Sequence, residues 1–186
     1  MKTRIIVDKE IYLALLNPVD VKDIFNTIIS EKAYLGRWLP FVASTNEFKD
    51  TEHFVSQAIQ IATQIPQYVF TIRYQDKFAG LVGMTATDVQ NQKTELGYWL
   101  SETFQKKGIM TKSITELCRW IFTELPINRI QIKCAVNNYF SQKIPIQLNF
   151  HLEGVERDGE LLREEVFTDL NIYSLLKKDW INQTME

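Results

Sequence analysis

The segment Gln105-Lys106-Lys107-Gly108-Ile109-Met110-Thr111 holds the residues best suited to binding an anion. A strand-forming run, Glu95-Leu96-Gly97-Tyr98-Trp99-Leu100, precedes it. Met110, Ile114, Leu117, Cys118 and Ile121 mark one face of a helix over 108–123. A strand therefore feeds a short loop, Ser101-Glu102-Thr103-Phe104, and the loop opens a helix. The first turn of a helix leaves about four backbone N–H groups without intrahelical partners and carries a partial positive charge. Such a site holds phosphate or pyrophosphate without needing side chains. Gly108 lets the backbone come close to an anion, and Lys106 and Lys107 add charge at the mouth. The plainer reading of the same residues is a solvated, lysine-bearing loop before an ordinary helix.

Other chemistries find little support in the residues. His53 and His151 stand alone in sequence, with no nucleophile and acid arranged for a hydrolase triad and no spacing for metal ligands. No metal site is expected. There is no Gly-x-x-x-x-Gly-Lys-Ser/Thr loop and no Gly-x-Gly-x-x-Gly fingerprint. Cys118 and Cys134 lie in apolar stretches and read as two reduced thiols packed in a core. The formal net charge of −2 provides no basic field for nucleic acid. No window approaches the ~18 apolar residues that span a bilayer, so no membrane partner is expected and a cytoplasmic location is.

The elements around this segment follow from periodicity. With 186 residues, 45 % of them hydrophobic, the chain suits one domain over 1–186. Ile11 to Leu16 reads as a strand, with Arg4 to Val7 a candidate pairing partner. Val21, Ile24, Phe25 and Ile28 give an amphipathic helix over 19–30. A second helix, capped by Asp50 or Thr51, ends at Pro66. Tyr68–Tyr74, Phe78–Thr87 and Glu95–Leu100 form an antiparallel meander. Then come the 108–123 helix, a strand over Arg129–Val136, a helix over 139–148 in which Pro145 is a blemish, and a hairpin of Phe150–Glu156 and Val166–Leu176 turning at Asp158-Gly159. The order predicts a mixed α/β sheet of about seven strands with helices on both faces.

Gln105-x-x-Gly108-x-Met110 resembles the acetyl-CoA motif of the GNAT superfamily of N-acetyltransferases, usually written Q/R-x-x-G-x-G/A. Further matches are similar to the branch of ribosomal-protein N-terminal acetyltransferases. They are Arg37-Trp38-Leu39-Pro40, Gly97-Tyr98-Trp99-Leu100, Asn138-x-x-Ser141 with Leu148-Asn149-Phe150, and Tyr173-Ser174-Leu175-Leu176 with Trp180. These matches run in order along most of the chain. Met110 stands where the family mostly has glycine or alanine. Asn149 stands where the branch has glycine, and asparagine is the non-glycine residue best tolerated at positive φ.

The resemblance implies a GNAT-like fold, acetyl-CoA as co-substrate, and transfer of acetyl to an amine. It implies cofactor contacts from Trp99 and Leu100 on a splayed strand, from Gln105 through Thr111, and from Asn138 and Ser141. Asn138 has an N-cap as its plainer role. Glu95 is the first candidate for the base, with a strand carboxylate paired to a lysine as the alternative. Glu102 is the second, its alternative a carboxylate favoured by a helix start. Ser141 is the candidate acid on the thiolate side, because the tyrosine many members place four residues later is Pro145 here. Its alternative is a helix-start hydroxyl. Trp38 and Tyr98 are candidates for an acceptor groove, or simply core. Glu31, Glu47 and Asp50 are either attractors for a cationic amine or solvated helix-end charges. The acceptor is a protein N-terminus or a small amine such as a polyamine or aminoglycoside, and a homodimer is compatible. Met110, Pro145 and Asn149 also permit a non-catalytic acyl-CoA-binding module.

Overall fold

The structure, a computed structural model, describes residues 4–185. Eight strands form one mixed sheet in the order β1-β2-β3-β4-β5-β6-β8-β7. β1 (Arg4–Ile6), β2 (Ile11–Leu15), β3 (Val69–Tyr74), β4 (Lys77–Asp88) and β5 (Lys93–Leu100) are all antiparallel neighbours. β6 (Arg129–Ala135) lies parallel to β5, joined by helix α5 (Ile109–Glu124). β7 (His151–Arg163) and β8 (Val166–Leu176) close the sheet as an antiparallel hairpin. The expected meander and strand–helix–strand unit are both present, and β1 is the eighth strand.

Helices cover both faces, as the alternation of side chains along a strand requires. Leu81 and Trp99 point to one face. There they pack with α1 (Val21–Ser30), α2 (Lys32–Leu35), α3 (Phe41–Ser44) and α4 (Phe48–Gln64), through Ile24, Ile28, Leu35, Val42 and Val55. Val82, Leu96, Phe70 and Ile72 point to the other face. They meet Ile109, Ile114, Leu117 and Ile121 of α5 and Ile144 of α6 (Tyr139–Gln147). Cys118 and Cys134 are free thiols buried on this second face. Arg73 on β3 fastens the first helix to the sheet, with one guanidinium nitrogen 2.5 Å from Asp20 and the other 2.8 Å from Asp23.

Three sequence expectations shift. α4 starts earlier than expected, at Phe48, because Glu47 is the cap and Asp50 closes a capping box from the first turn. The final hairpin does not turn at Asp158-Gly159. β7 continues through that pair, with Asp158 at φ 48° in a register shift between Glu156 and Glu160. The turn lies at Glu164-Glu165. An Asp-Gly pair supplies a positive φ for a bulge as readily as for a turn. A closing helix α7 (Lys177–Met185) follows β8, and Trp180 packs into the core beside Phe122.

Gly80 allows β4 and β5 their close approach. A β-carbon there would lie 2.2 Å from the Trp99 carbonyl oxygen and 2.9 Å from Leu100 Cα. We expect Gly80→Ala to push β5 outward and cost about 1–3 kcal/mol of stability, read from urea denaturation midpoints. An unchanged midpoint would show that β5 has slack at this point.

Candidate active site

Parallel pairing between β5 and β6 stops early. Lys93, Thr94 and Glu95 pair with Arg129, Ile130 and Gln131, and from Leu96 onward β5 has no strand partner on that side. Past that point a cleft of ≈ 400 Å³ opens beside the freed end of β5, with the start of α6 as its far wall. Its walls include Tyr98, Trp99 and Leu100 of β5, Gln105 to Thr111 except Lys107, and Asn138 and Ser141 at the start of α6. Trp38 lines it from the turn after α2.

The helix start at this cleft has the expected geometry. Gly108 sits at φ 71°, in the left-handed region, and no side chain caps the first turn of α5. A β-carbon on Gly108 would meet nothing within 4 Å, so the space before the first amides is open. Lys106 is also left-handed, at φ 60°. Lys107 turns elsewhere: its ammonium lies 5.2 Å from the Tyr74 ring centroid and 5.5 Å from that of Phe104. The Gln105 amide donates to the Tyr34 hydroxyl. Met110 is buried, in the core cluster of Ile114 and Leu117, and forms part of the cleft wall.

On the far wall, Asn138 caps α6 by accepting from the Ser141 N–H at 3.2 Å. The Ser141 hydroxyl donates to the Tyr98 oxygen at 3.2 Å and lies 3.2 Å from Cys134 Sγ. Tyr98 in turn donates to the Ser141 carbonyl at 3.0 Å. That carbonyl is available because Pro145, four residues on, has no N–H to offer it. Burial pushes the Tyr98 phenol well above its ordinary value and the Cys134 thiol up, so both stay protonated. Asn149 adopts φ 54°, the left-handed conformation expected at the end of this helix.

A second cavity, ≈ 990 Å³, lies on the α1–α4 face of the sheet. It meets the cleft at Leu39, Tyr98 and Trp99, which line both. Glu95 faces this cavity, opposite to Ser141, because alternate residues of β5 point to opposite faces. Burial raises the Glu95 carboxyl, and Lys133 at 3.9 Å and Gln131 at 3.4 Å partly offset it. The lysine-partner reading of Glu95 thus holds only at long range, since Lys133 pairs more closely with Glu156 at 2.9 Å. Glu160 of β7 also lines the cavity and is raised by burial and by the Glu95 charge. No sequence pattern marked Glu160, because its position depends on the bulge that carries β7 past Asp158.

The remaining acids divide. Asp50 lines the second cavity while capping α4 with bonds from Asn46 and Glu47 N–H. Glu47 pairs with Lys49 at the surface. Glu102 is exposed and is not among the residues lining either cavity. Glu31 instead holds the loop before α5, accepting from the Ser101 hydroxyl at 2.6 Å and the Glu102 N–H at 2.9 Å. Among the described residues no group of three or more His, Cys, Asp or Glu could hold a metal ion, and no helix is long and apolar enough to cross a membrane.

This arrangement recurs in known proteins. Residues 10–151 match the family model for the acetyltransferase (GNAT) domain. The putative ribosomal N-acetyltransferase YdaF of Bacillus subtilis (strain 168) is 33 % identical over 176 residues, covering 94 % of this chain and 95 % of the relative. The ribosomal-protein-serine acetyltransferase of Escherichia coli (strain K12) is 26 % identical, covering 83 % of this chain and 86 % of that protein. Among solved structures, the ribosomal L7/L12 alpha-N-protein acetyltransferase RimL in complex with coenzyme A superposes with a TM-score of 0.90. It is 26 % identical, with 95 % of this chain and 99 % of that one covered. The microcin C7 self-immunity acetyltransferase MccE in complex with acetyl-CoA and AMP superposes with a TM-score of 0.89. It is 30 % identical, with 95 % and 97 % covered. With its parted strands, open helix start and near-complete overlap with these enzymes, the chain belongs to the GNAT family of N-acetyltransferases.

Proposed function

We propose that this enzyme transfers acetyl from acetyl-CoA to the α-amine of a protein N-terminus, with the cofactor in the β5–β6 cleft and the acceptor in the larger cavity. The observation that carries the proposal is the junction of the two cavities at Leu39, Tyr98 and Trp99. Ser141 lines the first of these cavities and Glu95 the second, so the residues they share are where a thioester and an amine would meet. The cleft suits the co-substrate: open amides and Lys106 at the α5 start face the pyrophosphate, and Asn138 lies along the pantetheine arm. Backbone N–H groups of β5 beyond Leu96 lack a strand partner on the cleft side and polarise the thioester carbonyl.

An ammonium group must lose its proton before it attacks. The geometry favours Glu95 over Glu102 as the group that takes it, directly or through a water. Glu160 supplies a second carboxylate that draws the ammonium in. Ser141, oriented by Tyr98, turns its hydroxyl to hydrogen-bond the departing thiolate, which takes up its proton from solvent. Three carboxylates, Asp50, Glu95 and Glu160, line the acceptor cavity against one lysine, Lys49, a balance that suits a cation better than the phosphate of a nucleotide-linked acceptor such as MccE's ligand suggests. A cavity of ≈ 990 Å³ lies at the upper end of ordinary ligand sites and exceeds what a lone small amine fills. The alpha-N-protein activity in the name of RimL, and the ribosomal N-acetyltransferase name of YdaF, point the same way.

Thiol release from acetyl-CoA with peptides bearing free N-terminal Ser or Ala, set against N-terminally blocked peptides, spermidine and an aminoglycoside, tests the assignment. The free peptides should be acetylated fastest, and preference for spermidine would overturn it. Glu95→Gln and Ser141→Ala should each lower kcat by on the order of a hundredfold while acetyl-CoA still binds.

Burial raises the Glu95 and Glu160 carboxyls, so they take up protons at a higher pH than exposed glutamates. Only the ionised form accepts the amine proton. The acid limb of kcat/KM should therefore lie above the ordinary glutamate range, and Glu95→Gln should abolish it.

Gly108→Ala should cost about 1 kcal/mol of stability from its left-handed φ and raise the KM for acetyl-CoA. Gly108→Asn should lose less, since asparagine tolerates that conformation. Unaltered KM values would remove the pyrophosphate from this helix start.

A further inference from the structure

We infer that Glu31, on the acceptor-side helices, is a positioning residue for acetyl-CoA binding: it clamps the loop that aims the Gly108 amides. The inference rests on the proposed cofactor site. Ser101 to Gly108 must hold Lys106 in the left-handed region two positions before Gly108. A non-glycine residue keeps that conformation only where surrounding structure fixes it. Within the loop, Phe104 and Gln105 N–H groups bond to the carbonyls of Ser101 and Glu102, forming a single 3-10 turn. No side chain of the loop caps that turn.

Glu31 supplies the missing cap from seventy positions away. One carboxylate oxygen accepts the Ser101 hydroxyl at 2.6 Å and the other accepts the Glu102 N–H at 2.9 Å. Both bonds go to an anion, which makes them stronger than neutral ones. Ser101 is 4 % exposed, so its hydroxyl has little recourse to water if the carboxylate is removed.

The clamp is anchored. Glu31 ends α1 through its N–H to the Thr27 carbonyl, and its own carbonyl accepts from Tyr34 and Leu35 at the start of α2. One turn later Tyr34 accepts from the Gln105 amide, giving a second tie between the same two segments. Three hydrogen bonds thus tie Ser101, Glu102 and Gln105 of the loop to Glu31 and Tyr34. The ordinary alternative, a helix-end carboxylate in solvent, does not account for two bonds to one distant turn.

The test compares Glu31→Ala, Glu31→Gln and Ser101→Ala with the unaltered chain. Isothermal titration with acetyl-CoA gives Kd without needing an acceptor. Glu31→Ala should weaken binding about tenfold or more, the scale of one lost charge-assisted bond. Its kcat at saturating acetyl-CoA should stay within about twofold. Glu31→Gln keeps one acceptor oxygen and should fall between. Ser101→Ala deletes a single hydroxyl, which keeps the test open should Glu31→Ala fold poorly, and should weaken binding in the same direction.

Amide hydrogen exchange provides a second readout. Residues 101–108 of Glu31→Ala should exchange faster than in the unaltered apo protein and recover on saturation with acetyl-CoA. Unchanged Kd in both Glu31→Ala and Ser101→Ala, or a fall in kcat with Kd intact, would overturn the clamp. Failure of the unaltered chain to bind acetyl-CoA would instead overturn the cofactor site, with the exchange comparison still deciding the clamp.

Discussion

Everything about the site follows from the point at which β5 and β6 stop pairing. Two parallel strands held over three residue pairs and then separated leave an unpaired backbone edge inside a sheet. Exposed strand amides are normally a liability, since buried N–H and C=O groups seek partners. Here they line a cleft. The separation also lets the two faces of the sheet communicate, which a continuous ladder forbids. Ser141 lies on one face and Glu95 on the other, each lining a different cavity. The opposing environments suit opposing roles. Burial among apolar groups and hydroxyls keeps the Tyr98 side protonated, whereas Glu95 retains Lys133 nearby to support its charge.

The wedge between the strands is kept open by polar bonds. Tyr98 reaches from β5 to the first turn of α6 and donates to the Ser141 carbonyl. Within an uninterrupted helix that carbonyl would accept an N–H from four residues on. Pro145 removes that donor, and the carbonyl is left for the phenol. A residue that weakens the helix as a helix thus supplies the acceptor that orients Tyr98, and through it the Ser141 hydroxyl. The helix still ends cleanly, with the Phe150 N–H returning to the Pro145 carbonyl at 2.9 Å and Asn149 in the left-handed conformation.

Acceptor-side and cofactor-side elements also share residues. Leu39 and Trp99 border both cavities, and Tyr34 and Glu31 bond to the loop before α5. The segment just before the turn of Trp38 and Leu39 is thus tied by hydrogen bonds to the loop before α5.

The sequence alone determined the parts whose physics is local. Gly108 at a strand-to-helix junction announces an open helix start, Asn149 announces a left-handed residue, and the apolar periods over 19–30 and 108–123 announce helices, because each depends on residues within one or two turns. The antiparallel meander was legible for the same reason. Tertiary structure decided the rest. Glu31 read as a solvated helix end and Glu160 as nothing at all, since their partners lie seventy residues away or across a bulge. The sequence places Lys107 at the mouth of the helix start, and the fold sets its ammonium over rings from β3 and the loop. Asp158-Gly159 carries the same positive φ in a bulge as in a turn, and only pairing with β8 chooses between them. Short-range propensity sets a residue's conformation, but which charges are buried, paired or exposed to a cavity depends on contacts between segments that sequence spacing does not encode.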